Sequence, residues 1–300
     1  MQISLVLIIY RSDSTIAKTT ASNCENSLKN EGISSITVDS KLNKSSIESI
    51  FKINSKLPQL AIVLGGDGTV LKSTNVLINF KIPILSFNIG GHLGFLSQEK
   101  EFLLNQSFIS LLKNNEFTIE ERNMLQCKVL KKNSQKEDKS YTEFDKIFAL
   151  NDFYFKSVDN DISPTNQIQL EINGEKVNEY KGDGLIIASA TGSTAYSMAA
   201  GGPIVHPEID VMIINPICPM SLSNRPIIIP SNSIITVKPV KDLKRSLQLW
   251  QDGSKSLTIS YSDYCEINKA ETPAKMISLK NSISYYSTLI KKLDWKGNLS

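Results

Sequence analysis

Cysteine and histidine are scarce in this chain and poorly placed for metal chemistry. Its four cysteines, Cys24, Cys127, Cys218 and Cys265, are widely separated without a C-x-x-C pair, and only His92 and His206 are present to complete a ligand set. That pattern excludes a zinc module and a disulfide framework, leaves no dedicated metal site, and places the protein in a reducing cytoplasm. An excess of one charge is also missing: 33 Lys and Arg against 30 Asp and Glu leave +3 on 300 residues. No basic run is interleaved with aromatics, so a nucleic-acid partner is not indicated. Lys128, Lys131, Lys132, Lys136 and Lys139 cluster, but Glu137 and Asp138 lie among them, and the stretch reads as a solvated hairpin tip. No apolar run reaches the length of a membrane span, so no membrane partner is expected. The apolar start, Gln2 to Tyr10, lacks a basic n-region and a cleavage site and reads as the first strand of a sheet.

What is present is ordinary globular composition, 41% hydrophobic and 21% charged, on a chain long enough for two cores. From Met1 to about Asn115, apolar strands at Ile3–Tyr10, Ser34–Asp39, Leu60–Leu64 and Ile82–Phe87 alternate with helical stretches, one near Ser14–Asn30. That alternation predicts an open α/β sheet, whose ligands bind at the carboxyl ends of the strands. Beyond Phe117 the runs shorten and turn β-like: Thr118–Val129, Thr142–Ala149, Phe153–Lys156, Ile168–Ile172, Leu185–Ala188, Val211–Ile214, Ile234–Val237, Ser246–Gln251 and Ser256–Ser260. They predict a sandwich-like, β-rich second domain, with six prolines between 203 and 230 confining that region to extended or turn backbone. Tyr285, Leu289, Ile290 and Leu293 recur at helical spacing, and this last helix is expected to return to the first domain. The expected domains are 1–120 with 276–300, and 121–275.

The most informative segment is Gly65-Gly66-Asp67-Gly68-Thr69, between the continuous apolar run Leu60–Leu64 and a helical pattern through Val70, Leu71, Thr74, Leu77 and Ile78. A strand, a glycine turn and a helix N-terminus present backbone N–H groups and a positive dipole end, which favour phosphate. The spacing is neither G-x-G-x-x-G nor a Walker loop. Asp67 is out of place in such a turn, because a carboxylate repels the anion; it either accepts a proton or holds a metal, or it caps the helix that begins at Thr69. A second glycine cluster, Asn88-Ile89-Gly90-Gly91-His92-Leu93-Gly94-Phe95-Leu96, follows the next strand and can line the same crevice or form a simple turn.

In the second domain, Lys181-Gly182-Asp183-Gly184 precedes an apolar strand that ends in Thr191-Gly192-Ser193-Thr194-Ala195-Tyr196. Hydroxyls and N–H donors around Gly192 suit phosphate or ribose oxygens, and Tyr196 offers a ring to stack; the alternative is a Thr/Ser-rich turn capping a short helix. Asn151 and Asp152 follow an apolar run side by side. They suit a ribose diol if the strand breaks there, and otherwise form a polar turn.

Together these segments resemble the NAD kinase family: GGDGT at Gly65–Thr69, N-x-G-x-x-L-G-F-L at Asn88–Leu96, LND at Leu150–Asp152, GDG at Gly182–Gly184 and TGSTAY at Thr191–Tyr196. The resemblance runs through Gly201-Gly202-Pro203-Ile204 and Ile217-Cys218-Pro219 to the Leu-Asp-Trp near the end. GGDGT alone also occurs in lipid kinases of the diacylglycerol and sphingosine type, whereas TGSTAY with the Asn-Asp pair is more specific. The resemblance implies an α/β N-terminal domain, a β-rich C-terminal domain, a site in the cleft between them and homo-oligomers, dimer or tetramer. It implies phosphoryl transfer from ATP or polyphosphate, with Mg²⁺ or another divalent cation, to the adenosine ribose 2′-hydroxyl of NAD. It makes Asp67 the general base, brings Gly68 close to the ligand and sets Phe95 beside the adenine. Asn151 and Asp152 bind nucleotide hydroxyls, Lys181 contacts phosphate, and Asp183 meets the nicotinamide end. Thr191, Thr194, Ala195 and Tyr196 line the dinucleotide pocket. Gly65, Gly66, Thr69, Asn88, Gly94, Ser193, Ala199 and Ser254 complete the set. Three positions depart from the family pattern: Ala190 for a frequent proline, Met220 for histidine, and Ser254 for glutamine after Asp252-Gly253. They bear on pocket shape and on NAD against NADH. The competing readings are a lipid kinase, which the polar set at Asn151, Asp152, Asp183 and Thr194 opposes, and a dinucleotide-binding regulator without turnover.

Overall fold

In the computed structural model the described residues are 3–54, 56–90, 94–132, 141–158, 165–240 and 245–295. The chain divides into two compact units, Met1–Glu121 with Ala274–Ser300, and Arg122–Pro273. Of the lysine cluster read as a hairpin tip, Lys128, Lys131 and Lys132 lie instead in a strand, Leu125–Lys132, while residues 133–140, like residues 91–93 of the second glycine cluster, fall outside the described residues.

The first unit runs β1 (Leu5–Tyr10), α1 (Thr15–Asn30), β2 (Ser34–Asp39), α2 (Lys44–Asn54), β3 (Leu60–Leu64), α3 (Asp67–Leu77), β4 (Ile84–Phe87), α4 (Glu101–Leu104), α5 (Ser107–Lys113) and β5 (Phe117–Arg122). The second carries β6 (Leu125–Lys132), β7 (Tyr141–Ala149), β8 (Asp152–Ser157), β9 (Asn166–Ile172), β10 (Glu175–Gly182), β11 (Gly184–Ser189), α6 (Tyr196–Ala199) and β12 (Val211–Ile217). It continues with β13 (Ile227–Pro230), β14 (Ile235–Pro239), β15 (Leu247–Gln251), β16 (Ser254–Ile259) and β17 (Tyr264–Lys269). The chain then supplies β18 (Ala274–Leu279) and α7 (Tyr285–Leu293) to the first unit.

The first sheet has the order β2-β1-β3-β4-β18-β5, and its β1–β4 pairs and the β4–β18 pair are parallel. Alternate residues of one strand feed two cores. Val6 and Ile8 pack with Ala21, Cys24 and Leu28 of α1, while Leu7 and Ile9 pack with Ile47 and Phe51 of α2 and Val70 of α3. This explains the unbroken apolar runs, since both faces of a parallel sheet are covered by helices. Burial arises in the same way for α7, whose Thr288 and Leu289 are buried after Ser284 caps the helix by accepting from Ser287 N; Ile290, expected inside, is exposed.

The second unit holds two six-stranded sheets, β10-β9-β14-β17-β6-β7 and β13-β12-β11-β8-β15-β16. One core draws on both sheets: Leu125, Cys127 and Ile168 from the former, Phe153, Phe155, Leu185 and Leu249 from the latter, the arrangement of a sandwich. The expected single run Thr118–Val129 is two strands, β5 in the first sheet and β6 in the second unit, separated at Asn123 and Met124. Helix α2 and strands β10, β13, β17 and β18 were not read from the sequence; they are short, mixed in polarity or, like β18, seated beside strands remote in the chain. The prolines behave as expected: Pro216 lies in β12 beyond its last pair with β13, and Pro230 ends β13, an edge strand. No helix among the described residues is long and apolar enough to cross a membrane.

Phe155 is fully buried at the centre of the second unit's core. Phe155→Ala is expected to destabilise that unit by about 3–5 kcal/mol, read as a lower denaturant midpoint in an unfolding titration.

Candidate active site

In the first unit the turn after β3 separates two chemistries. Gly66 is the N-cap of α3, and Thr69 N and Val70 N donate to Gly66 O at 2.9 and 3.2 Å. Gly66, Gly68 and Thr69 line a crevice of about 480 Å³ together with Arg11 and Asp13 after β1, Ser40 and Lys41 after β2, and Lys72 of α3. Three cations against one carboxylate, at a helix N-terminus and at strand ends where the sheet order reverses, have the charge and N–H donors that suit phosphate oxygens. Arg11 already holds Asp13 through two hydrogen bonds of 2.6 and 2.8 Å, and this bonding lowers the Asp13 carboxyl to about 2.

Asp67 is not among the walls of that crevice. Its carboxylate faces the loop after β4, where Phe95 N donates to Oδ2 at 2.9 Å and Leu96 N donates to Oδ1 at 3.1 Å. It therefore does not cap the helix, which starts at Asp67 itself and has no side-chain cap. Gly94 permits this approach: a Cβ there would collide with Asp67 Oδ1 and Ser97 Oγ. The loop is fastened in turn, because Gln98 donates to Ile277 O at 2.8 Å and accepts from Leu279 N at 2.9 Å. Phe95 lies with its ring centroid 6.4 Å from that of Tyr285. Asn88 is half-buried at the end of β4, and its N–H donates to Gln98 O at 3.0 Å. Several charged neighbours were not singled out in the sequence: Arg11 and Asp13, whose only signal is a polar Arg-Ser-Asp after the first strand, Lys41 and Lys72 of the crevice, and Lys292, 4.0 Å from Asp67 Oδ2.

In the second unit the strand does break between Ala149 and Asp152, where the chain leaves one sheet for the other. The break is held by Asp252, whose carboxylate accepts from Leu150 N (3.0 Å), Asn151 N (2.8 Å) and Asp152 N (3.2 Å). Asp252 and Gly253 form the two-residue turn between β15 and β16, both at positive φ, 46° and 77°. The Asp-Gly pair between two strands signals the hairpin; nothing local signals the reach of its carboxylate. Ser189 knits the break to the hydroxyl-rich turn: its N donates to Asn151 O at 2.8 Å, its Oγ donates to Leu150 O at 2.6 Å, and Gly192 N donates to its Oγ at 3.1 Å. Gly192 packs so close that a Cβ would overlap Asn151 O.

The structure thus brings Asn151, Asp152 and the 191–196 segment together. Asp152 is 3% exposed, and burial first, then the neighbouring Asp252 charge, pushes its carboxyl up to about 7. Ser193 is fully buried, and its hydroxyl bridges Val205 N and O at 3.0 Å each, so it holds the turn instead of facing a ligand. Thr191 Oγ1 is buried without a hydrogen-bond partner among the described residues. Thr194 Oγ1 donates to Thr191 O at 3.4 Å. Tyr196 is not a free stacking face: Lys156 Nζ stands 4.9 Å from its ring centroid, and Tyr154 packs edge-on at 4.9 Å. Asp183 is half-buried, its N donating to Ile217 O at 3.0 Å and its O accepting from Asn166 Nδ2 at 2.9 Å. Lys181, Ala199 and Ser254 are exposed, and Ala195 is half-buried. No cluster of three His, Cys, Asp or Glu side chains able to hold a metal occurs among the described residues.

Residues 6–116 match the family of the ATP-NAD kinase N-terminal domain, and residues 150–279 that of the ATP-NAD kinase C-terminal domain. The chain is 60% identical over 98% of both chains to a protein named NAD kinase 1 from Prochlorococcus marinus subsp. pastoris. It is 43% identical, over its whole length and 98% of the relative, to NAD kinase 1 of Prochlorococcus marinus strain NATL2A. Its fold is similar to that of yeast NADH kinase solved with NADH, with a TM-score of 0.80 at 21% identity, covering 99% of this chain and 89% of that one. An Archaeoglobus fulgidus NAD kinase solved with ATP gives 0.70 at 22% identity, covering 97% and 98%.

The raised Asp152 carboxyl links to stability. Between its ordinary 3.8 and its native value of about 7, the folded protein keeps a proton that the unfolded chain releases, so stability is lost as pH rises through that window. Asp152→Asn is expected to flatten the decline: denaturant titrations at pH 4, 6 and 8 will show the variant losing less stability than the parent toward pH 8.

Proposed function

The chain belongs to the ATP-NAD kinase family, and from that premise we propose that Asp67 is the general base of its reaction. The enzyme phosphorylates NAD to NADP. In the proposed step the adenosine ribose 2′-oxygen forms the new P–O bond, the donor's bridging oxygen departs with its electron pair, and the hydroxyl proton passes to Asp67. The observation that supports this role most is the fixed direction of the carboxylate, held by Phe95 N and Leu96 N and turned from the anion-binding crevice. A ribose hydroxyl is a weak nucleophile and the transition state is loose and highly charged, so alignment and charge neutralisation do most of the work.

The crevice of Arg11, Lys41, Lys72 and the α3 N-terminus is the proposed seat of the phosphoryl donor, ATP or polyphosphate, since both present repeated phosphate oxygens. Mg²⁺ or another divalent cation fits the residues there as a guest of the donor. It takes oxygen ligands largely from phosphates and water, and Asp13 is the crevice's own carboxylate that would hold it. Such an ion neutralises phosphate charge.

In the second unit, Asn151 and Asp152 with Thr191, Thr194, Ala195 and Tyr196 are proposed to hold the dinucleotide, with Lys181, Asp183, Ala199 and Ser254 as outer contacts. Thr191 Oγ1 supports the reading, because a buried hydroxyl left unpaired costs roughly 1–3 kcal/mol and a ligand oxygen would relieve it. Ser193 acts as scaffold. The reading extends to a homodimer or homotetramer, whose second copy would cover the exposed Met220, Leu222 and Ile228 around edge strand β13. It also extends to a reducing cytoplasm that keeps four free thiols.

Asp67→Asn is expected to lower kcat by about 10²- to 10⁴-fold with NAD affinity nearly unchanged. Steady-state assay of NADP formation, with NAD binding measured by calorimetry, checks it; normal turnover would refute the base. Lys72→Met is expected to raise the donor KM about tenfold while the NAD KM stays near that of the parent, the sign of a lost ground-state phosphate contact. Titrating donor and NAD separately reads the split.

A further inference from the structure

We infer that Lys292 of α7 is a positioning residue of phosphoryl transfer, holding the Asp67 carboxylate and the Phe95 loop in their working orientation. The inference rests on Asp67 being the base. Lys292 Nζ stands 4.0 Å from Asp67 Oδ2 and 4.4 Å from the centroid of the Phe95 ring. Phe95 N is also the donor to that same Oδ2, so one ammonium stands close to both the carboxylate and the residue that orients it.

The distance carries the argument. At 4.0 Å the pair lies beyond hydrogen-bond reach, yet well inside the range of Coulomb attraction. A directly bonded ammonium would compete with a hydroxyl for the same oxygen. An ammonium held one step back fixes the carboxylate and leaves a lone pair of Oδ2 open to a proton. The Phe95 face supplies the second hold, since a cation over a ring is attracted by the ring's negative face.

The surrounding structure is built to place this group. Ser284 starts α7 by accepting from Ser287 N at 3.2 Å, Leu289 and Thr288 seat it, and Asp294 ends it at φ 50°, two residues after Lys292. Upstream, β18 is tied through Gln98 to the loop that carries Phe95. Strand and loop are thus joined by two hydrogen bonds, and α7 follows β18 in the chain; Lys291, in the same turn of α7 and exposed like Lys292, makes neither of the two Lys292 contacts.

The test compares Lys292→Met, Lys292→Arg and Lys291→Met with the parent, alone and, for Lys292→Met, combined with Asp67→Asn. Lys292→Met is expected to lower kcat by about 10- to 100-fold with both KM values changed less than about threefold, the scale of a misplaced reacting group. Lys292→Arg restores most of the loss, and Lys291→Met matches the parent. The double variant is no slower than Asp67→Asn, because Lys292 acts through Asp67. Thermal unfolding of each variant accompanies the kinetics. Parent-like turnover in Lys292→Met, a loss that multiplies with that of Asp67→Asn, or a loss matched by a fall in Tm and not restored by arginine overturns the inference. If Asp67→Asn turns over normally, the base assignment itself fails; if Asp67→Asn is impaired and Lys292→Met is not, only the inference about Lys292 fails.

Discussion

The structure of the first unit's site depends on one carboxylate accepting two backbone N–H groups. Phe95 N and Leu96 N hold Asp67 from a different loop than the one that carries it, and this contact decides which way the strand-end turn can act. The N–H-rich side of the turn, with Gly66, Gly68 and Thr69, is left to the basic crevice, while the negative side is turned from it. An acid and an anion receptor thus share five residues without opposing one another. The arrangement requires Gly94, where any side chain would displace the acid. It also requires the chain to come back, because the loop is braced by β18, which is reached only after the whole second unit.

A comparable device organises the second unit. The chain passes from one sheet to the other at Leu150 and Asn151, and such a crossing strips backbone N–H groups of their ladder partners. Asp252 satisfies three of them at once, a charge-assisted set stronger than neutral bonds. The cost falls on Asp152, buried beside a second carboxylate and pushed up to about 7. Buried groups held at such cost are characteristic of functional sites, and the stiffness gained is the preorganisation a ligand needs.

Local pattern made the strand, glycine turn and helix at Leu60–Leu77 readable, because each element there is specified by its own residues and buries its own stripe. The same was true of the Asn151 break and the 191–196 turn, which adjoin apolar strands in the chain. What escaped was set by partners far away. Thr118–Val129 has the texture of one strand, and only its neighbours divide it between β5 and β6. Asp252 reads as a hairpin residue; its bonds to Leu150–Asp152 span 100 to 102 positions. Lys292 reads as a solvated lysine in the last turn of a helix, since no spacing rule connects it with Asp67. Tyr196 was legible as aromatic and near the site, but the Lys156 ammonium over its ring was not, being placed by pairing between β8 and β11.

The choice of Asp at 152, where Asn would avoid the electrostatic cost, follows from the chemistry proposed for that corner. Each hydroxyl of a ribose diol donates one hydrogen bond and accepts others, so a receptor limited to ionised carboxylates could accept but never donate. Asn151 brings an amide with both capacities. A carboxyl raised to about 7 retains its proton in a substantial share of molecules near neutrality, and it then offers an O–H donor as well as an acceptor. Burial, the first cause of that shift, would therefore also make the residue versatile toward the proposed diol. The Asp252 charge reinforces the effect while fixing the backbone from which both side chains extend. The long apolar body of a lipid alcohol would find no match in this polar corner, whereas the ribose diol proposed for it would use both capacities.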